Sequence, residues 1–212
     1  MMGDTLTIER HGASYRINDP GGRIAQPLRQ GRPYEAKMLD EIWGRKFTGV
    51  ALDIGANVGN HSLFFAAVCG LTVYAFEPEP GFYAQLVDNL ILNPYLNITP
   101  YDVAAGAEKG KGRMLPSMHV KPDPDGDVLV LPIDELIPHV EDVSVIKVDV
   151  EGGEPQALAG AARLIERWHP VIYTETHTRA AGQRTAAVLD PLGYQPTGAI
   201  HMGSTMERWE WA

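Results

Sequence analysis

The segment Val50-Ala51-Leu52-Asp53-Ile54-Gly55-Ala56-Asn57-Val58-Gly59-Asn60-His61 constrains this chain most. An apolar strand passes through a glycine turn directly into a helical pattern, the junction at which an open α/β sheet receives its ligand. Glycine tolerates positive φ and close backbone approach, so Gly55 and Gly59 let a ligand lie against main chain whose first helical N–H groups are free. The alternation continues downstream. Strand-length apolar runs occupy 50–54, 71–76, 98–103, 143–150 and 171–175. Between them, 62–69 is apolar nearly all round, Phe82, Leu86 and Leu90 step at i+4, and Ala157, Leu158, Ala161, Leu164, Ile165 and Trp168 follow a 3.6 period. Strands that are continuously apolar, rather than alternating, belong to a parallel sheet covered on both faces.

Other segments frame this core. Runs at 5–9 and 14–17 read as a hairpin with an exit turn at 19–22, and 34–43 places Met38, Leu39, Ile42 and Trp43 on one helical face. Residues 104–132 are rich in Gly, Lys, Pro and Asp and carry β-like pieces at 112–115 and 127–131, the pattern of an inserted hairpin. Segments 194–200 and 206–211 read as a closing antiparallel pair. The expected organisation is an N-terminal extension, 1–33, packed on one domain, 34–212.

Composition limits the function classes. Lys plus Arg total 18 against 27 Asp plus Glu, a net charge of −9, with no basic block, which argues against bulk nucleic-acid binding. A loose group of Arg23, Arg29, Arg32 and Lys37 reads as scattered surface charge. Cys69 is alone and the histidines fall at no metal-ligand spacing, so no zinc site is expected. With no signal-peptide pattern and no apolar run near the roughly 20 residues of a membrane span, the expectation is a cytoplasmic chain, with homo-oligomerisation left open.

The loop spacing narrows the ligand. In Asp53-x-Gly55-x-x-x-Gly59, Asn57 and Asn60 stand where a dinucleotide-binding GxGxxG loop has its second and third glycines. A pyrophosphate is therefore disfavoured, and a nicotinamide oxidoreductase with it. An acidic residue opening the loop suits a ligand carrying a cationic group, as S-adenosylmethionine does. Glu77, 22 residues beyond Gly55 at the end of the second strand, is placed to accept from ribose hydroxyls. The plainer reading makes the glycines ordinary turn residues and Glu77 a helix cap.

With LDIGANVGNHSLFFA at 52–66, VYAFEPEP at 73–80, DVAAG at 102–106, LPIDEL at 131–136 and IKVDVEGGE at 146–154, the chain resembles the FkbM family of S-adenosylmethionine-dependent methyltransferases over roughly residues 34–195. The resemblance implies a Rossmann-like class I methyltransferase fold, with a seven-stranded, mostly parallel sheet whose last strand is antiparallel. It further implies O-methylation of a hydroxyl on a small metabolite or glycan, such as a sugar or polyketide-like acceptor. Asp53, Gly55, Asn57 and Gly59 would wrap the methionine part of the cofactor, with Asn60 and His61 beside them. Glu77 and Pro78 would hold the ribose, Asp102 and Val103 would flank the adenine, and Asp149 would lie beside the sulfonium methyl.

Residue period two puts Lys147 and Asp149 on one face of the fourth strand, and a buried lysine needs a carboxylate, for which Asp149, Asp134 and Asp53 are candidates. Methylating an alcohol requires removal of its proton, and His177, Asp149 and Glu151 are the candidate bases. His177 is slightly favoured, because an unperturbed imidazole titrates near pH 6.5. Asp149, Glu175 and His177 could instead hold a divalent cation, a weaker reading. Asn93-Pro94-Tyr95 resembles part of an amino-methyltransferase tetrapeptide but precedes the third strand, so N-methylation is disfavoured. The remaining rivals are a catalytically silent cofactor-binding or interaction module and a methyltransferase for another acceptor class.

Overall fold

The computed structural model describes residues 4–197 and 206–212. The chain opens with β1 (Thr5–Arg10) and β2 (Ala13–Asn18), an antiparallel hairpin, then α1 (Gly22–Leu28) and α2 (Ala36–Gly44). An alternating run follows: β3 (Val50–Ile54), α3 (Asn60–Ala67), β4 (Thr72–Phe76), α4 (Pro80–Ile91) and β5 (Ile98–Tyr101). Four short strands come next: β6 (Ala104–Ala105), β7 (Gly110–Met114), β8 (Val120–Pro122) and β9 (Val128–Leu131). The described chain then continues through α5 (Ile133–Leu136), β10 (Val143–Val148), α6 (Glu154–Ala159), α7 (Ala162–Trp168), β11 (Val171–Glu175), α8 (Arg179–Leu189), β12 (Tyr194–Pro196) and β13 (Met206–Trp211).

The central sheet has the order β12-β13-β11-β10-β3-β4-β5. Its five core strands, from β11 to β5, are parallel, and β13 runs antiparallel to both β11 and β12. This is the Rossmann-like arrangement expected, with the reversed strand, β13, inserted between β11 and the edge strand β12. The chain winds outward from β3 toward β5 and then returns to lay β10 on its other side. That reversal opens a crevice beyond the carboxyl ends of β3 and β10.

Packing explains the elements. Every residue of β3 is buried, as is the whole of α3 up to Ala66, because α3 is sandwiched between the sheet and the N-terminal hairpin. The outer edge of that hairpin is met by side chains of α4 and of the turn that follows it rather than by another strand. The main-chain N–H groups of Arg16 and Asn18 donate to Asn93 Oδ1 (2.8 Å) and Asn89 Oδ1 (2.7 Å). Asn93 is therefore a structural residue, and Tyr95, 67% exposed, stacks on no ligand pocket.

Several expected boundaries shift. β5 ends at Tyr101 and β10 at Val148, so Asp102, Val103 and Asp149 stand just beyond the sheet. The single helix read at 157–168 is two, α6 and α7, broken at Gly160-Ala161. A side chain at Gly160 would lie 2.0 Å from the Gly106 oxygen, so the inserted segment presses on the chain here. Asp134 then caps the restart, its carboxylate accepting from the Arg163 and Leu164 N–H groups at 2.9 and 3.1 Å. The insert is a small four-stranded sheet, order β6-β9-β7-β8, rather than one hairpin. Gly126 makes it compact, since a Cβ there would meet the Gly112 oxygen at 2.0 Å. α8, unmarked by apolar period, starts at Thr178, whose Oγ1 accepts from Ala181 N–H. Of the closing pair, Tyr194–Pro196 pairs with β13, while 198–200 lie outside the described residues. No helix among the described residues is long and apolar enough to cross a membrane.

Candidate active site

The crevice holds a cavity of about 520 Å³, within the size range of small-molecule sites. Its floor is the turn after β3. Gly55 has φ +80°, and a Cβ there would lie 1.8 Å from the Asp149 carbonyl oxygen, so only glycine fits. Gly59 also has positive φ, but what presses on it is Leu86 of α4, and it does not line the cavity. Of the two loop glycines, one faces the ligand space and the other serves packing.

Behind the floor lies a charged group the strand period anticipates. Lys147, fully buried, donates to the Gly55 carbonyl at 2.8 Å and lies 3.4 Å from Asp53 Oδ1 and 3.7 Å from Asp149 Oδ2. Burial works against its ammonium, but Asp53, Asp149 and Glu35 outweigh it and hold its pKa above the usual lysine range. Asp53 also accepts from Ser62 Oγ at 2.6 Å. It is enclosed behind the loop rather than on the cavity wall, so it fixes the loop instead of reaching across it. Asp134 is engaged elsewhere, at α7.

Glu77 and Pro78 line the cavity at the end of β4. One Glu77 oxygen accepts from the Asn57 N–H and the other from the Glu79 N–H, both at 2.8 Å. Each oxygen keeps a second lone pair for a ligand hydroxyl. Burial pushes the Glu77 carboxyl up, with the two amide bonds restraining the rise. Glu79, not Glu77, caps α4, accepting from Phe82 N–H at 2.6 Å. Val103 is on the wall, whereas Asp102 is exposed and off it.

Asp149 and Glu151 line the opposite end. Burial would raise Asp149, but Lys147 and a hydrogen bond with Glu175 outweigh it and leave its carboxyl below the usual range. Glu151 moves the other way, pushed up by burial and by the Asp149 charge beside it. His177 does not line the cavity: it is half-exposed, with Nε2 2.8 Å from Glu175 and 3.8 Å from Glu151. Glu151, Glu175 and His177 thus form one cluster, and Asp149 stands between it and Lys147, bonded to Glu175 and 3.7 Å from the ammonium.

Two wall segments escape a reading of sequence pattern. Ile24 and Tyr34 reach the cavity from the N-terminal segment, and the insert contributes Met118 and His119. Asn60 and Tyr34 are tied by reciprocal bonds, Tyr34 N–H to Asn60 Oδ1 (3.1 Å) and Asn60 Nδ2 to the Tyr34 carbonyl (3.2 Å). This clasp sets Glu35 3.2 Å from His61, both side chains almost wholly buried. Nothing in the spacing of Tyr34-Glu35 before a helix announces that arrangement.

A sheet of this order, with its glycine turn after the first core strand and an acid closing the second, defines a class I methyltransferase fold. Solved structures share it. An FkbM methyltransferase from Methylobacillus flagellatus KT aligns with a TM-score of 0.60 at 22% identity, over 78% of this chain and 44% of that one. Fibrillarin from Aeropyrum pernix, crystallised with natively bound S-adenosyl-L-methionine, aligns at 0.53 and 14% identity, over 98% and 100%. The chain belongs to the methyltransferase FkbM domain family, whose model matches residues 53–196. A hexuronic acid methyltransferase of Haloferax volcanii, AglP, is 29% identical over 149 residues, 65% of this chain. The match spans 56% of that relative's length.

Proposed function

We propose that the chain transfers a methyl group from S-adenosylmethionine to a hydroxyl of a sugar, with a uronic acid as the first acceptor to test. The observation that carries the cofactor reading is Glu77: a buried carboxylate anchored by two main-chain N–H groups, with lone pairs left at the cavity. The donor set fits the group. Five carboxylates, Glu35, Asp53, Asp149, Glu151 and Glu175, outnumber the one buried ammonium around the loop end, an environment for a cation rather than a phosphate. The acceptor reading draws support from the relative that acts on hexuronic acid.

When bound, the cofactor supplies an electrophilic methyl group on a sulfonium. Within the chain, Gly55 provides a floor without a side chain, Glu77 accepts from the ribose, and Val103 offers an apolar face to the adenine. Asp149, held ionised by Lys147, favours positive charge nearby. Methylating a hydroxyl releases a proton. Glu151, raised in pKa and on the cavity wall, is the better base, with His177 and Glu175 behind it as a route to solvent. His177 therefore acts through Glu151 rather than on the acceptor. Replacing His177 with Ala should spare cofactor affinity and lower turnover less than Glu151→Gln does.

The test is incubation with methyl-labelled cofactor and a panel of uronic acids, neutral sugars and polyketide-like alcohols. Label in a uronic acid ether supports the proposal. Label on nitrogen, or on no hydroxylated acceptor while the cofactor binds, overturns it.

A further inference from the structure

The proposed acceptor carries a carboxylate, and the end of the cavity that would receive its hydroxyl is itself acidic. Asp149 and Glu151 stand on the wall there, with Glu175 beside Glu151. An anion is repelled from that end, so the carboxylate of a bound uronic acid has to lie against a cation elsewhere on the rim. The N-terminal segment supplies one. Of the arginines at 23, 29 and 32, Arg29 is paired with Asp19 and Arg32 bonds the Gln30 side chain, whereas the Arg23 guanidinium makes no ion pair or hydrogen bond among the described residues. Arg23 lies in the first turn of α1, where the helix dipole disfavours a cation, so the helix does not account for its charge. Its guanidinium carbon is instead 6.0 Å from the centre of the Tyr34 ring, and Tyr34 lines the cavity beside Ile24. Burial raises the Tyr34 phenol, and Glu35, Asp149 and Glu175 raise it further, so the ring stands within electrostatic reach of the acidic end. An aromatic face that meets C–H groups, next to a guanidinium fork that matches a carboxylate, is chemistry that selects an acidic sugar over a neutral one. Lys109 and Lys111 of the insert also reach the cavity, but Glu108 on the same stretch of wall offsets part of their charge.

We infer that Arg23 and Tyr34 form the acceptor subsite: the Tyr34 ring supports the face of the sugar, and the Arg23 guanidinium receives its carboxylate. Both residues precede the family-matched 53–196, so selection of an acidic sugar comes from the N-terminal segment rather than from the matched core. This inference rests on the uronic acid reading of the proposed function, and its test separates the two.

Calorimetry on protein saturated with S-adenosylhomocysteine compares methyl glucuronoside with methyl glucoside, which carries a hydroxymethyl group in place of the carboxylate. Wild-type protein should bind the acidic sugar more tightly. Arg23→Gln should weaken the glucuronoside about tenfold, the scale of one charge-assisted hydrogen bond, and leave the glucoside unchanged. Arg23→Lys should recover part of the loss. Tyr34→Leu, which keeps the main-chain bonds to Asn60, should weaken both sugars alike, and Tyr34→Phe should weaken neither. Retained S-adenosylhomocysteine affinity reports that each variant is folded. An undiminished preference in Arg23→Gln, its loss in Lys109→Gln or Lys111→Gln instead, or unchanged sugar affinity in Tyr34→Leu overturns the inference while the uronic acid reading stands. A wild type that binds the glucoside as tightly as the glucuronoside, or binds neither, overturns both.

Discussion

The ammonium of Lys147 donates to the carbonyl oxygen of Gly55 across 2.8 Å, joining the strand that carries Asp149 to the turn that floors the cavity. The bond is made inside the protein, with Asp53 and Asp149 as countercharges, so one lysine orders both sides of the crevice.

Removing that ammonium leaves Asp53 buried without its countercharge. Lys147→Met should therefore cost about 3–5 kcal/mol of stability, the range for breaking one side of a buried pair. Urea denaturation measures it. A cost below about 1 kcal/mol, as for exposed pairs, would show that the group is solvated in solution.

Glu77→Ala should weaken S-adenosylhomocysteine by about 1–3 kcal/mol, the penalty for losing a hydrogen bond to a charged acceptor. Calorimetry on the folded variant reads this directly, and unchanged affinity would remove Glu77 from the ribose.

Asp134 lies in the LPIDEL segment, one of those that carry the family resemblance, yet it caps α7 rather than entering the cavity. Asp134→Ala should lower stability by about 0.5–2 kcal/mol, as caps do, with cofactor affinity intact. A selective loss of cofactor binding would contradict this assignment.

Asp149 and Glu35 have carboxyls below their ordinary range in the folded chain. As pH falls, the unfolded chain takes up these protons first, so their stabilisation is complete above the ordinary carboxylate range and disappears as pH drops through the lowered values. Stability should decline below about pH 4, where unfolded carboxylates protonate. Asp149→Asn should flatten the decline, as denaturant midpoints between pH 3 and 6 would record. Glu77 and Glu151, raised in pKa, act oppositely: their contributions weaken as pH rises above the ordinary range.

The sheet was legible because its strands are so apolar: β3 and β11 occupy the residues that the hydropathy marks, since burial on both faces leaves no other pattern. The reversed last strand, β13, was legible too. The break between α6 and α7 was not, because it depends on Gly106 meeting Gly160 and on Asp134 reaching α7, contacts between segments distant in sequence. The site divides the same way. Gly55, Asn57 and Glu77 follow from local spacing along one strand–turn–helix unit, and the structure places all three on the cavity wall. Asp53 and Gly59 sit at the expected positions but face inward, a distinction that period and spacing do not carry. His177 falls behind Glu151 because β11 delivers it past Glu175, and Glu35 reaches the site only through a clasp between α3 and the N-terminal segment.

The contact between Gly55 and the Asp149 carbonyl leaves no slack for even a methyl group. A turn displaced by an arriving ligand must therefore push on the very peptide that leads into Asp149 and Glu151. Donor side and acceptor side thus share one contact, the Gly55 turn set directly against the Asp149 peptide.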